Sequence, residues 1–275
     1  VGLILGLATS LNPFALRESF AALAGLPPAE QLARLRDPEM RRKILSEEAS
    51  KRLLDVLPPL SRQIATRWDN MFELGDPPDY EPPPEKSVAA MAAARGMDPA
   101  AICYDLMMEQ DGRAILNRPI LNYADGDLTA IRNMVTHPHT LMGLGDGGAH
   151  YGAICDASYS TYLLTQFVQK DSPLKLGLAE AVHMLGQKAA RAVGLHDRGT
   201  LKVGGRADLN VIDMERLKLG KPWLAFDLPA GGKRLLQKAD GYVATIKSGE
   251  VTFRDGTMQG PTPGGVIRGP QRVEM

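Results

Sequence analysis

Cysteine is almost absent from this chain. Cys103 and Cys155 are the only two among 275 residues, too few for a disulfide framework, so a reducing, cytoplasmic setting is expected. Net charge is lacking as well, because 32 basic and 32 acidic side chains cancel. No basic field invites nucleic acid, and no polybasic run invites an anionic membrane. Long hydrophobic runs are missing. The longest, Val1–Ala8, is far too short to span a bilayer and lacks the basic start and cleavage site of a signal peptide. Neither a nucleic-acid nor a membrane partner is expected. A P-loop, a G-x-G-x-x-G after a strand and a C-x-x-C pair are also missing.

What is present is the composition of a soluble globular protein, 44% apolar and 23% charged, long enough for one large domain or a domain plus a small module. The chain begins with Val inside a predicted strand and has no initiator Met. That start reads as a fragment or processed chain.

Val1–Ala8 is a buried strand by its apolar run, ended by Thr9-Ser10 and Asn12-Pro13. A helical pattern follows from Ala21 to about Leu57, with Pro27-Pro28 and Asp37-Pro38 as helix starts. Residues 75–84 hold five prolines and read as an extended surface connection. Further helices are predicted from Val88 to Arg95 and from Asp98-Pro99 through Met108. Cys103 lies in the second, as a small buried residue.

Ile115–Asn122 reads as another strand, weakened by Pro119. Asp127 is expected to cap a helix over Leu128–Val135, and Leu141–Gly145 to form the next strand. Thr161–Val168 is helical. Leu178–Val193 is an amphipathic helix, with Leu178, Ala181, Val182, Leu185, Ala189, Ala192 and Val193 on one stripe and Gly194 as the stop. Alternating strands and helices predict an α/β fold with a parallel sheet. After Gly194 the texture changes to short β-rich runs between glycines. Ala207–Asp213 is one strand, and Tyr242–Ser248 pairs with Val251–Phe253 across Gly249-Glu250. This small β module begins near residue 196.

The chemistry centres on Thr140–His150, where an apolar run ends in Asp146-Gly147-Gly148. An acid at the carboxyl end of a buried strand is placed to bind a metal or move a proton. The same residues also make an ordinary turn in which the Asp side chain bonds the backbone. His150, four residues on, either lines a pocket or is a loop residue. His137-Pro138-His139 has metal-pair spacing, but Pro and a helix end favour a loop-capping role. His183 is expected to be partly buried and His196 solvated. Cys155 has only His150 as a nearby base.

The stretch Gly143–His150, continuing through Ile154–Ser158 and Thr161–Leu164, resembles the N-acyl-D-amino-acid deacylases (D-aminoacylases) of the amidohydrolase superfamily. Gly194–Gly199, Gly204–Asp213, Asp227–Gly232, Leu3–Phe14 and Gly75–Pro78 are similar to the same family. The resemblance implies the C-terminal part of a (β/α)8 TIM-like, metal-dependent hydrolase barrel over residues 1–195. Strands seven and eight would be separated by a long helical insertion, about 14–115, and a small β-sandwich module would occupy 196–275. It implies that Asp146 touches a catalytic zinc and is the general base and acid in hydrolysis of an N-acyl-D-amino acid. Zinc would lower the pKa of the attacking water, and the carboxylate would shuttle its proton. Ser10 and Asn12, after strand seven, and His150 are the candidate substrate-binding residues, and Arg17 is a candidate clamp for a substrate carboxylate.

By the same resemblance the first six strands, with most zinc ligands, precede Val1. The chain alone is therefore expected to be inactive unless an N-terminal half is supplied as a second chain. Two alternatives stay open: a dihydroorotase-like or hydantoinase-like cyclic-amide hydrolase of the same superfamily, and a non-catalytic structural fragment.

Overall fold

The computed structural model describes residues 2–56, 64, 67–121, 123, 125–143 and 150–272. The chain divides into two compact units: Val1–Asp127 with Asp146–Cys155 and Lys221–Leu236, and Leu128–Gly145 with Asp156–Gly220 and Gln237–Met275.

In the first unit the apolar start forms β1 (Gly2–Gly6). Short helices follow, among them α1 (Glu18–Ala21), α2 (Pro28–Leu35), α3 (Pro38–Ser46) and α4 (Lys51–Val56). α3 begins as its sequence dictates. Asp37 Oδ1 accepts from the Glu39 N–H at 2.8 Å, and Pro38, with no N–H to leave unpaired, takes the first helical position. Beyond β2 (Phe72–Glu73) and the proline-rich connection come α5 (Val88–Arg95) and α6 (Pro99–Gly112). Ser87 and Asp98 cap them by accepting from Ala90 N–H at 3.1 Å and Ala100 N–H at 2.7 Å. Non-helical backbone begins at Glu109, so the regular part of α6 ends at Met108, as the sequence predicts.

β3 (Ile115–Pro119) lies between β1 and β2 and is antiparallel to both. The predicted parallel sheet is not formed: every named pairing among the described residues is antiparallel. A parallel neighbour needs a crossover back to the end where the first strand began. Here Gly6, the last residue of β1, faces Ile115, the first of β3. The chain re-enters the sheet at the end it left. The strand stops at Pro119, short of the predicted Asn122, which lies outside the described residues.

β3 is buried along its whole length because both faces are covered. On one side Leu3, Leu5 and Leu116 join the main core with Phe14, Ile102, Tyr104 and Met107. On the other, Ile4 and Ile115 meet Leu74 and Leu235. The Phe14 and Tyr104 rings meet edge-on at 5.3 Å, and the Tyr104 hydroxyl donates to Leu35 O at 2.7 Å. Cys103 is fully buried against Met71, and burial pushes its thiol pKa up. It is the small apolar residue predicted.

In the second unit α7 (Thr129–Thr136) starts one residue later than expected, with Leu128 rather than Asp127 at the cap position. The strand predicted over Leu141–Gly145 is not formed in its described part. Residues 141–143 have no strand partner, and Leu141 is exposed. α8 (Tyr159–Leu164) runs into a π-helical turn, Thr165–Gln169. α9 (Leu178–His183), a π-helical turn at Met184–Lys188 and α10 (Ala189–Ala192) make one continuous helical run. Gly194, at φ 78°, stops it as predicted.

Only part of the predicted apolar stripe is buried in this run. Ala181, a stripe residue, is buried together with Met184, whereas Leu178, Val182 and Val193 are exposed. His183, expected to be partly buried, is exposed.

β4 (Leu209–Ile212) and β5 (Lys218–Leu219) follow. The chain then contributes a hairpin to the first unit, β6 (Trp223–Leu228) and β7 (Gly232–Leu236). Back in the second unit come β8 (Ala239–Asp240), β9 (Tyr242–Lys247), β10 (Glu250–Arg254) and β11 (Thr257–Met258). The sheet order is β11-β10-β9-β4, and β5 pairs with β8. The predicted β9–β10 hairpin is present, but its turn residues are Ser248 and Gly249, at φ 53° and 86°. Two successive left-handed residues match the right-handed twist of the strands. Among the described residues no helix is long and apolar enough to cross a membrane.

Candidate functional site

The loop after β1 is built by its own polar side chains. Thr9 Oγ1 donates to Leu11 O at 2.7 Å. Asn12 is buried, and both ends of its amide are used: Nδ2 donates to Gly6 O at 3.0 Å and Oδ1 accepts from Phe14 N–H at 2.8 Å. Asn12 therefore shapes the loop. Ser10 is exposed, and its N–H donates to Gly152 O at 2.8 Å.

That bond joins the loop to the segment beginning at His150. Ile4 N–H donates to Ala153 O at 2.7 Å, so the segment lies along the edge of β1. His150 is exposed and held at φ 52°, in the left-handed region. Its carbonyl accepts from Ala153 and Ile154 N–H at 2.8 and 2.9 Å, which closes a tight turn. A side chain at Gly152 would crowd Ser10, since a Cβ would sit 2.0 Å from its Oγ and 3.1 Å from its Cβ. The hairpin completes the assembly. Leu235 N–H donates to Tyr151 O at 2.7 Å, and Lys233 Nζ donates to Ala8 O at 2.6 Å.

Ser10, Asn12 and His150 thus lie on two loops hydrogen-bonded to each other within the first unit. Asp146 lies outside the described residues. His137 and His139 are exposed, and His137 Nδ1 accepts from the His139 N–H at 3.2 Å, a loop-capping role as expected. His196 is exposed, as expected. Arg17 is stacked 5.1 Å over Phe14 and donates to Ile44 O at 2.6 Å, so it braces the helices. Cys155 packs against the Ile4–Leu74–Leu235 cluster.

Among the described residues, no three His, Cys, Asp or Glu side chains come together to hold a metal. The described residues do not by themselves fit one. Sequence reading passed over Tyr151, Gly152 and Lys233. The motif stretch Asp227–Gly232 stops one residue short of Lys233, and nothing local says that its amine reaches Ala8.

Ser10 and His150 lie on loops tied to β1, and the Lys233 amine reaches the same loops from β7. The model of the amidohydrolase family matches residues 1–253, and the chain belongs to the amidohydrolase family. Membership makes it a hydrolase, in a family whose members hydrolyse with metals and adopt TIM-barrel folds. No curated protein and no solved structure matches the chain.

Proposed function

We propose that the chain carries the catalytic aspartate of a hydrolase acting on the amide bond of N-acyl-D-amino acids. Asp146 takes a proton from the attacking water and delivers it to the leaving amine nitrogen. Ser10 and His150 contact the substrate, and Asn12 holds the loop that presents Ser10. Zinc is the metal this reading expects, with Asp146 among its ligands. The other ligands have to come from outside the described residues.

The observation that carries the reading is the 2.8 Å bond from Ser10 N–H to Gly152 O. It ties the loop of two candidate substrate residues to the segment that follows the Asp146-Gly-Gly stretch. The motif likeness around Gly143–His150 supports the substrate class. The test is an assay, on the longer or two-chain protein that supplies the remaining metal ligands, with N-acetyl-D- and N-acetyl-L-amino acids beside dihydroorotate and hydantoin. Hydrolysis of the D-acyl substrates is expected. The Asp146→Asn variant should lose about 10²–10⁴-fold in kcat with an unchanged circular dichroism spectrum. Turnover of the cyclic amides alone would overturn the reading.

A further inference from the structure

Two adjacent basic residues on β7 are treated differently by the fold. Arg234 is paired with Asp227 through two hydrogen bonds of 2.9 and 2.7 Å. Lys233 has no carboxylate partner among the described residues. Its half-buried ammonium donates to one backbone carbonyl, Ala8 O at 2.6 Å. Burial lowers its pKa. A partly desolvated cation that has one carbonyl as its partner among the described residues gains from an anion that completes it.

The geometry says where such an anion would lie. Ala8 is two residues before Ser10 on the loop. Leu235, two residues after Lys233 on the same side of β7, donates its N–H to Tyr151 O beside His150. Lys233 is thereby fixed at the junction of both loops of the candidate site. An ammonium has three N–H donors, and one of them is used among the described residues.

We propose that Lys233 receives the free carboxylate of the substrate and so makes the site selective for acyl amino acids over their uncharged counterparts. This rests on the reading of the site given above. The substrate class is a carboxylate on the carbon next to the acylated nitrogen. Lys233 holds one end of the molecule, beside the loops of Ser10 and His150.

The test compares N-acetyl-D-leucine with N-acetyl-D-leucinamide on the wild type, Lys233→Met and Lys233→Arg. Loss of a charge-assisted hydrogen bond should raise KM for the acid about 10- to 100-fold. KM for the carboxamide should stay unchanged, and Lys233→Arg should restore most of the preference. A purely structural lysine would affect both substrates alike, and that outcome overturns the proposal. A second readout needs no turnover. With [13C]lysine-labelled protein, N-acetyl-D-leucine should shift one lysine Cε resonance, the one missing in Lys233→Arg. Binding without that shift overturns the assignment of Lys233. If neither compound is turned over while the acid still shifts the Lys233 signal, the hydrolytic reading falls and the carboxylate site stands. If the acid neither binds nor reacts, both fall.

Discussion

At the scale of single residues, the candidate site depends on close approach more than on exotic chemistry. Gly152 leaves room for Ser10, and an alanine there would set its Cβ 2.0 Å from Ser10 Oγ and 3.1 Å from Ser10 Cβ. Rotating the hydroxyl relieves the first contact but not the second. Gly152→Ala should therefore cost about 1–3 kcal/mol. The double variant Ser10→Gly with Gly152→Ala should recover most of it, as read from urea unfolding of the four proteins in a double-mutant cycle. Equal loss in the presence and absence of the Ser10 side chain would show that the crowding lies elsewhere. Ser10 and Asn12 were chosen from the sequence because they follow a strand end, and His150 because it lies four residues after Asp146; the structure ties their two loops together. Asn12's role was not, since an Asn in a turn can face a ligand or its own backbone with the same local sequence.

At the scale of elements, the link between the helical run and the four-stranded sheet in the second unit is an ion-pair network. Asp197 is 6% exposed and accepts from Arg198 at 2.9 and 3.0 Å and from Arg206 at 2.9 Å. Arg198 also reaches Asp208, which in turn accepts from Lys247 and the Ser248 N–H. The Arg198 hydrogen bond, reinforced by Arg206, holds the Asp197 carboxyl well below its ordinary value of 3.8. A depressed pKa gives stability that is present above 3.8 and lost as the pH falls below it. Asp197→Asn should destabilise the protein by about 3 kcal/mol at neutral pH, since it leaves two guanidinium groups without their shared acid. It should also flatten the decline of stability in acid. Thermal unfolding of both proteins between pH 3 and pH 7 checks this. A parallel decline would assign the acid sensitivity to other carboxylates.

At the scale of the whole molecule, membership in the amidohydrolase family sets one expectation that residue geometry does not. Hydrolysis should depend on a divalent metal. Exhaustive dialysis against a chelator should abolish activity, and added zinc should restore it, while the far-ultraviolet circular dichroism stays the same. Full activity after dialysis, with no metal found by elemental analysis, would remove the metal from the mechanism and leave Asp146 as a carboxylate acting alone.

The sequence by itself determined the features whose causes are local. Asp37, Ser87 and Asp98 start helices because their oxygens satisfy the next free N–H groups. Gly194 ends a helix because it accepts a left-handed backbone. The apolar run at the start becomes a buried strand, and the motif stretches were enough to indicate the amidohydrolase superfamily. The tertiary structure alone decided what depends on residues far apart in the chain. β3 runs antiparallel to β1 because the intervening helices return the chain to the end it left. Burial in the Leu178–Ala192 run takes Ala181 from the predicted stripe and Met184 from outside it, and leaves Leu178 and Val182 exposed. Lys233 reaches Ala8 across more than two hundred residues. Local pattern fixes which conformations are cheap, while direction, buried face and partner are set by which distant surfaces exclude water together.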